Sequence, residues 1–411
     1  MRVAIVHDWI TGMRGGERCL EAFVRMYPGA DIFTLVHAPG TTTPDIDSRV
    51  KGSSFLNKIP GIRRLYRLCL PLFPLAIRSI DLSGYELVIS LSHAAAKNVR
   101  VPSGVPHICY CFTPMRYIWD QAPNYFRGPM RFILQPLLAY LRWWDKRGAN
   151  SVTEFVAISS FVAARIRTFY GRRATVIAPP VRMSSEIDRT LTAEERSFFD
   201  EHPEPFFLCA GALVPYKRID VAIDAFKELR LPLWVVGKGP ELDALRVRAG
   251  ETVRFLGHVS EAFLWECYRR CRALVFPGIE DFGIVPIECL ASGRPVLAIQ
   301  AGGVAESLPG VVVGDESGVT RTEGWQGVFI PKAGFGSPVA LRQGVEFLTA
   351  HEGTFNDIAA REHAHVFSYS MFFSSWRRFA QQLTIYPGVE PVLSGSTSGV
   401  NGQSQERRVS C

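Results

Sequence analysis

The 411-residue sequence predicts an α/β protein built from two doubly wound, Rossmann-like domains that face an interdomain cleft. The length is one reason, since a chain of this size exceeds one ordinary core and two domains are the natural division. A second is that short apolar runs alternate with helical stretches, stop at Pro179-Pro180, and then begin again. Such alternation implies parallel sheets covered by helices. The third is a strand, loop and helix reading across Ala273 to Glu288, in a chain whose 47% hydrophobic content suffices for both cores.

In the first half the strands are read at Arg2 to His7, Asp31 to Val36, Glu86 to Ser90, His107 to Phe112, Glu154 to Ile158 and Ala174 to Ala178. Met183 to Pro205 is polar and charged, so it reads as a linker with a surface helix. The second set is Phe206 to Ala212, Leu233 to Gly237, Val253 to Gly257, Ala273 to Pro277 and Pro295 to Ile299, with helices starting near Lys217, Gly239, Ser260 and Val285. Tyr369 to Leu383 has an amphipathic helical period. The Gly/Ser/Pro/Asn-rich end from Pro387 reads as a disordered tail. The expected divisions are residues 1–182, 183–368, 369–386 and a tail at 387–411.

The most informative stretch is Pro277 to Glu288, which sets Glu280 and Glu288 on either side of seven residues. Ligands of an open parallel sheet sit beyond the carboxyl ends of its strands, which is where this loop falls. The first N–H groups of the following helix, over Phe282, Gly283, Ile284 and Val285, have no partner inside it and favour an anion such as phosphate. Glu288, one turn in, suits a diol such as a ribose, and Glu280 lies further forward. A nucleotide-sugar fits both, whereas a solvated acidic loop would need neither.

Glu280-Asp-Phe-Gly-Ile-Val-Pro-Ile-Glu288, followed by Ala291-Ser-Gly-Arg-Pro-Val and Gly302-Gly-Val-Ala-Glu306, resembles the nucleotide-sugar site of retaining glycosyltransferases of family 4, which have the GT-B fold. The resemblance continues in order through His7-Asp8-Trp9, Gly15-Gly16-Glu17, Thr113-Pro-Met-Arg-Tyr-Ile-Trp-Asp120, Ala157-Ile-Ser-Ser-Phe-Val162 and Val214-Pro-Tyr-Lys-Arg218, spanning roughly residues 1 to 385. It implies transfer with retention, without a metal, and a late helix that crosses back to the first domain. It also implies that Gly15 and Gly16 approach the donor from the first domain, that Lys217 meets the diphosphate, and that Glu280 orients the sugar hydroxyls.

Two positions depart from the family pattern. Many members carry an arginine where this chain has Ala212, and Arg218 is the substitute second charge. Members also commonly place a histidine before Thr-Pro, where this chain has Phe112, and a phenyl ring cannot hydrogen-bond a sugar hydroxyl. Stacking replaces that contact, His93 supplies it, or catalysis is impaired; the sequence leaves all three open.

Other chemistries find little support. Gly237-Lys-Gly239-Pro-Glu lacks the third glycine of a dinucleotide fingerprint, with Leu242 in its place, so NAD is disfavoured. The nine cysteines form no framework and no zinc spacing, and reduced, buried thiols are the simpler account. No metal site is expected; Asp45-Ile-Asp47 reads as a turn.

Between Asp47 and Asp81 there is no acidic residue, while Arg49, Lys51, Lys58, Arg63, Arg64, Arg67 and Arg78 are set among apolar residues. Arg127 to Arg147, with Phe132, Tyr140, Trp143 and Trp144, is similar. Both suit a membrane interface with anionic lipid, and neither spans it: the longest apolar run, Leu68 to Ile77, has ten residues against about 20 needed. With a net charge of +7 and no nucleic-acid module, nucleic acid is set aside. Met1-Arg-Val-Ala-Ile-Val enters the first strand at once, so a cytoplasmic protein touching the inner face of the membrane is expected. The resemblance extends to mannose transferases of polysaccharide assembly, which implies GDP-mannose as donor and a lipid-linked or saccharide acceptor. A catalytically silent GT-B subunit and a nucleotide-sugar epimerase are the rival functions.

Overall fold

The computed structural model describes residues 1–120, 133–313 and 325–383. Two seven-stranded parallel sheets carry the chain. The first runs β3-β2-β1-β4-β5-β6-β7 and the second β10-β9-β8-β11-β12-β14-β13. β1 (Val3–Ile10) is buried along its whole length because both faces are covered by helices, so Val3 to Val6 form an apolar run rather than an alternation, and His7 and Asp8 follow as buried polar residues. Its neighbours are β2 (Asp31–His37) and β4 (Leu87–Ser92). β5 (His107–Cys111), β6 (Glu154–Ala157) and β7 (Thr175–Val176) complete that side.

In the second sheet β8 (Phe207–Ala210), β9 (Leu233–Val236), β10 (Val253–Gly257), β11 (Leu274–Phe276) and β12 (Val296–Ile299) match the predicted runs within a few residues. The order reverses between β1 and β4 in one sheet and between β8 and β11 in the other. At each reversal the flanking helices part to opposite faces and leave a crevice for a ligand.

Three strands were not predicted. β3 (Val50–Ser53) lies at the sheet edge within the basic stretch, and its Val-Lys-Gly-Ser has neither apolar run nor alternation. β13 (Gly310–Val312) and β14 (Gly327–Ile330) are three and four residues long.

The helices used below are α1 (Gly15–Met26), α2 (Gln135–Ala149), α3 (Ser160–Tyr170), α4 (Ile219–Leu229), α5 (Glu261–Arg270), α6 (Ile284–Ala291), α7 (Asp357–His365) and α8 (Tyr369–Gln382). After α7 the chain returns to the first domain, where Val181 N donates to the carbonyl of Phe367 (2.8 Å). α8 packs on α1. The Trp376 ring meets Phe23 edge-on at 4.6 Å, and its Nε1 donates to Tyr27 Oη (2.9 Å), which satisfies a buried indole.

Asp45 and Asp47 lie in a single helical turn, Pro44–Asp47, rather than a plain turn. Asp47 accepts from Gly40 N (2.6 Å) and Thr42 Oγ1 (2.7 Å) and sits 2.9 Å from His37 Nε2, while Asp45 pairs with Arg49. They serve the fold. The eight described cysteines are free thiols, and all but Cys69 are buried.

The basic stretch folds into short helical segments. Lys51 pairs with Asp31 and Arg49 with Asp45, so these two leave the predicted cationic face. Lys58, Arg63 and Arg78 are exposed beside exposed Phe55, Ile59, Leu65, Leu68, Leu72 and Leu75. Tyr140 and Trp143 are exposed on α2, whose Leu138, Leu141 and Trp144 share one buried cluster with Leu70, Phe73 and Ile77. No described helix is long and apolar enough to cross a membrane. The side chains of Arg64 and Arg67, residues 127–132 with Phe132, and the tail at 387–411 lie outside the described residues.

Candidate functional site

α1 and α6 follow β1 and β11, and their N-termini meet across the cleft: a methyl group built on Gly15 would stand 2.9 Å from Ile284 Cδ1. Between them is a cavity of about 430 Å³ lined from the first domain by Trp9, Gly15, Gly16, His93, Phe112 and Arg116, and from the second by Glu280, Phe282, Gly283, Ile284 and Val285. Most of the predicted site residues are thus in one place. Gly283 caps α6 at φ 98°, a left-handed conformation that suits glycine, and a β-carbon there would lie 2.5 Å from Val304. No side chain caps the α6 N-terminus.

Lys217 and Glu280 are brought together more closely than their predicted roles required. Nζ stands 2.7 Å from Oε1 as an ion pair. Burial disfavours the charged ammonium, but Glu280 outweighs it and holds the Lys217 pKa above its ordinary value. A ligand with a diphosphate would compete with Glu280 for this cation.

Glu288 is buried and does not line the cavity. Its Oε2 accepts from Tyr268 Oη (3.1 Å), and burial raises its pKa although Arg18 opposes the shift. Arg18 joins Glu261 (2.8 Å) across the domains, and Arg182 joins the same carboxylate (2.6 Å). These three line a second cavity of about 1090 Å³, together with Arg14, Arg25, Ala212, Lys238 and His258. Arg14 lines both cavities.

Arg218 is not brought to Lys217's side of the loop. At φ 54° it turns toward Asp220, donating from Nε to Oδ1 (3.0 Å) and from Nη2 to Oδ2 (3.1 Å), and it lines a third cavity. Ala212 instead shares the second cavity with Arg14, Arg18 and Arg25 of α1 and its preceding loop, and with Arg182.

His93 stands 3.1 Å from buried Asp8 through Nδ1 and 4.4 Å, ring to ring, from Trp9. Asp8 was quoted only as part of a motif, yet it builds this wall: its two oxygens accept from the backbone N–H groups of His93, Ala94, Ala95 and Ala96 at 2.6 to 2.8 Å. Beside it His7 is lowered to about 4 by burial and by His93, against the pull of Asp8. Phe112 meets His7 edge-on at 6.2 Å.

Glu17, another cavity residue, accepts from Arg14 N (3.2 Å), and burial pushes its carboxyl up to about 7. Asp281, Arg116 and Arg165 were not singled out either. They form a cluster behind the loop in which Asp281 and Arg165 are buried and Arg116 is partly buried. No local signal marks it, because Asp281 is 165 and 116 residues from the two arginines.

Two family models match consecutive regions, Glycosyltransferase Family 4 over residues 13–184 and Glycosyl transferases group 1 over residues 192–314. The chain belongs to the family 4-like glycosyltransferases. O-antigen chain mannosyltransferase C of Escherichia coli is 33% identical to this family 4 chain over 104 residues, 24% of the chain and 28% of the relative. The GDP-mannose-dependent alpha-(1-6)-phosphatidylinositol monomannoside mannosyltransferase of Mycobacterium tuberculosis is 28% identical over 175 residues, 37% and 45% of the two. The chain spans less than half the length of these curated relatives. Among solved structures, Anabaena HepE in complex with UDP superposes at a TM-score of 0.64 with 17% identity, covering 93% of this chain and 100% of that one. That likeness gives the GT-B fold.

Proposed function

We propose that this chain is a retaining, metal-independent glycosyltransferase that moves mannose from GDP-mannose onto a lipid-linked saccharide or polysaccharide precursor. The observation that carries the reading is the uncapped end of α6, aimed into the cleft beside the Lys217–Glu280 pair. A donor laid across the two adjoining cavities would place its diphosphate at Gly283, Ile284 and Val285 and its sugar near Glu280, His93 and Phe112. The nucleoside would extend toward Arg14, Arg18 and Glu261, in reach of Glu288 once Arg18 shifts. Mannose is supported by the names of both relatives above and GDP by that of the Mycobacterium tuberculosis enzyme; a UDP-sugar is the alternative donor.

In the reaction the bond from the anomeric carbon to the diphosphate oxygen breaks while an acceptor hydroxyl forms the new bond on the same face. The acceptor proton passes to the departing diphosphate. Negative charge grows on that leaving group, where the α6 amides and Lys217 stabilise it without reorganisation. Glu280 holds the sugar hydroxyls. Trp9, on the wall of this cavity, packs on Tyr66 (4.9 Å) and Phe73 (6.3 Å) of the segment that bears the exposed apolar and cationic side chains, so a lipid-borne acceptor resting on a membrane interface would lie beside the cleft.

Phe112 and Ala212 favour a second reading, a silent subunit that binds donor and transfers nothing. Purified protein given labelled nucleotide-sugars and membrane extract separates the two: label from GDP-mannose entering lipid, lost in Glu280→Ala, supports the enzyme. Donor binding without consumption of any donor supports the subunit.

A further inference from the structure

Asp281 sits inside the donor loop, but the opposite domain holds its side chain. Arg165 Nη1 is 2.8 Å from Oδ1, and Arg116 Nη2 pairs with Oδ2. The backbone is held as well, because Ser159 Oγ donates to the Asp281 carbonyl (2.5 Å). Arg165 is itself fixed by Asp120 Oδ1 (2.5 Å) and Thr113 Oγ1, and Arg116 lies over the Tyr216 ring at 5.4 Å.

A second grip lies alongside. Glu306 accepts from Ser160 N and Phe161 N, both at 2.8 Å, so a carboxylate of the second domain caps α3 of the first. The short helix bearing Glu306 (Val304–Ser307) is preceded by Gly303, whose N–H donates to the Glu280 carbonyl (2.9 Å). The loop is therefore held from both sides by residues that reach the first domain.

We infer that Arg116 and Arg165 are positioning residues that set, from the first domain, the geometry in which Glu280 and the amides of α6 are presented. This rests on the reading of residues 280–285 as the donor loop. Asp281 and Arg165 are each 8% exposed, so loss of their mutual contact leaves each buried charge with a single counter-ion, Arg116 for Asp281 and Asp120 for Arg165. A plain interdomain brace would lower stability without loosening the loop selectively.

The test is hydrogen exchange at the amides of residues 280–285 in the ligand-free full chain, with affinity for GDP and UDP measured beside it. Asp281→Asn keeps the side-chain shape, and Arg165→Lys keeps the charge without the fork that reaches several partners. Asp281→Asn is expected to speed loop exchange and weaken nucleotide binding about tenfold each, Arg165→Lys less, and the double variant no more than Asp281→Asn alone. Tyr27→Phe, which removes the α8 contact away from the loop, should change neither. Loop exchange unchanged in Asp281→Asn, or effects that multiply in the double variant, would overturn the inference. Should the wild-type chain bind neither nucleotide, the donor reading fails, and the exchange data still decide whether the arginines position the loop.

Discussion

α1 and α6 are built alike and meet in one cavity, yet their ends are chemically opposite. Each begins at glycine just after a central strand. At α1 the chain supplies its own carboxylate, since Glu17 accepts from Arg14 N at 3.2 Å within the first turn. At α6 no side chain takes that place, and the nearby acids are already engaged, Glu280 by Lys217 and Asp281 by Arg116 and Arg165. A positive helix end serves an external anion where the sequence withholds an internal one. On the proposed reading Gly15 and Gly16 govern how closely the α1 end approaches the donor, and Gly283 how the α6 end holds it.

The largest expected effect comes from closing the open end. Gly283→Val requires a β-branched residue at φ 98° where Val304 already stands, and should cost roughly 1–3 kcal/mol of stability and abolish measurable donor binding. Thermal melting with nucleotide titration checks both. Binding at wild-type strength would place the donor elsewhere.

Glu280→Gln keeps the size of the side chain and removes its charge. Transfer should fall about 100-fold or more, with donor affinity less affected, because a lost positioning contact acts on the reacting geometry. Separate kcat and KM values test this split.

Glu17 sharpens the comparison through pH. Its folded pKa of about 7 lies above its ordinary 4.5, so the protonated form favours folding; that stability is full below about 4.5 and is lost as the pH rises through about 7. Glu17→Gln does not ionise. It should therefore be more stable than wild type above pH 7, by up to roughly 3 kcal/mol, with the gap closing below pH 4.5. Denaturant midpoints across that range give the answer, and a gap that does not vary with pH would mean an unshifted carboxyl.

The smallest effect belongs to Arg218. Turned toward Asp220 and into another cavity, it makes a half-exposed pair worth about 0–1 kcal/mol, and Arg218→Ala should retain wild-type donor affinity. A clear drop would mean that the side chain swings to the diphosphate on binding, as its place beside Lys217 suggests.

The comparison also separates what was legible in the sequence. The strand-loop-helix at Ala273 to Glu288 could be read directly because strand, glycine cap and helix are adjacent and each has its own composition signal. Parallel strands buried on both faces stand out as apolar runs, whereas β3 at an edge, with Lys51 and Gly52 among its four residues, does not. The direction of Arg218 could not be read from its place beside Lys217, because its own left-handed backbone turns the side chain toward Asp220. Asp8 and the Asp281 cluster were invisible for another reason: their partners are 85 to 165 residues away, and only the fold joins them.

The central claim is that α6, and not α1, receives the donor diphosphate. A crystal structure of the protein with GDP-mannose tests it most directly. The account predicts phosphate oxygens within hydrogen-bond distance of Ile284 N or Val285 N, with Lys217 released from Glu280 toward them. A diphosphate seated at the Gly15 end, with the Lys217–Glu280 pair intact, would contradict it.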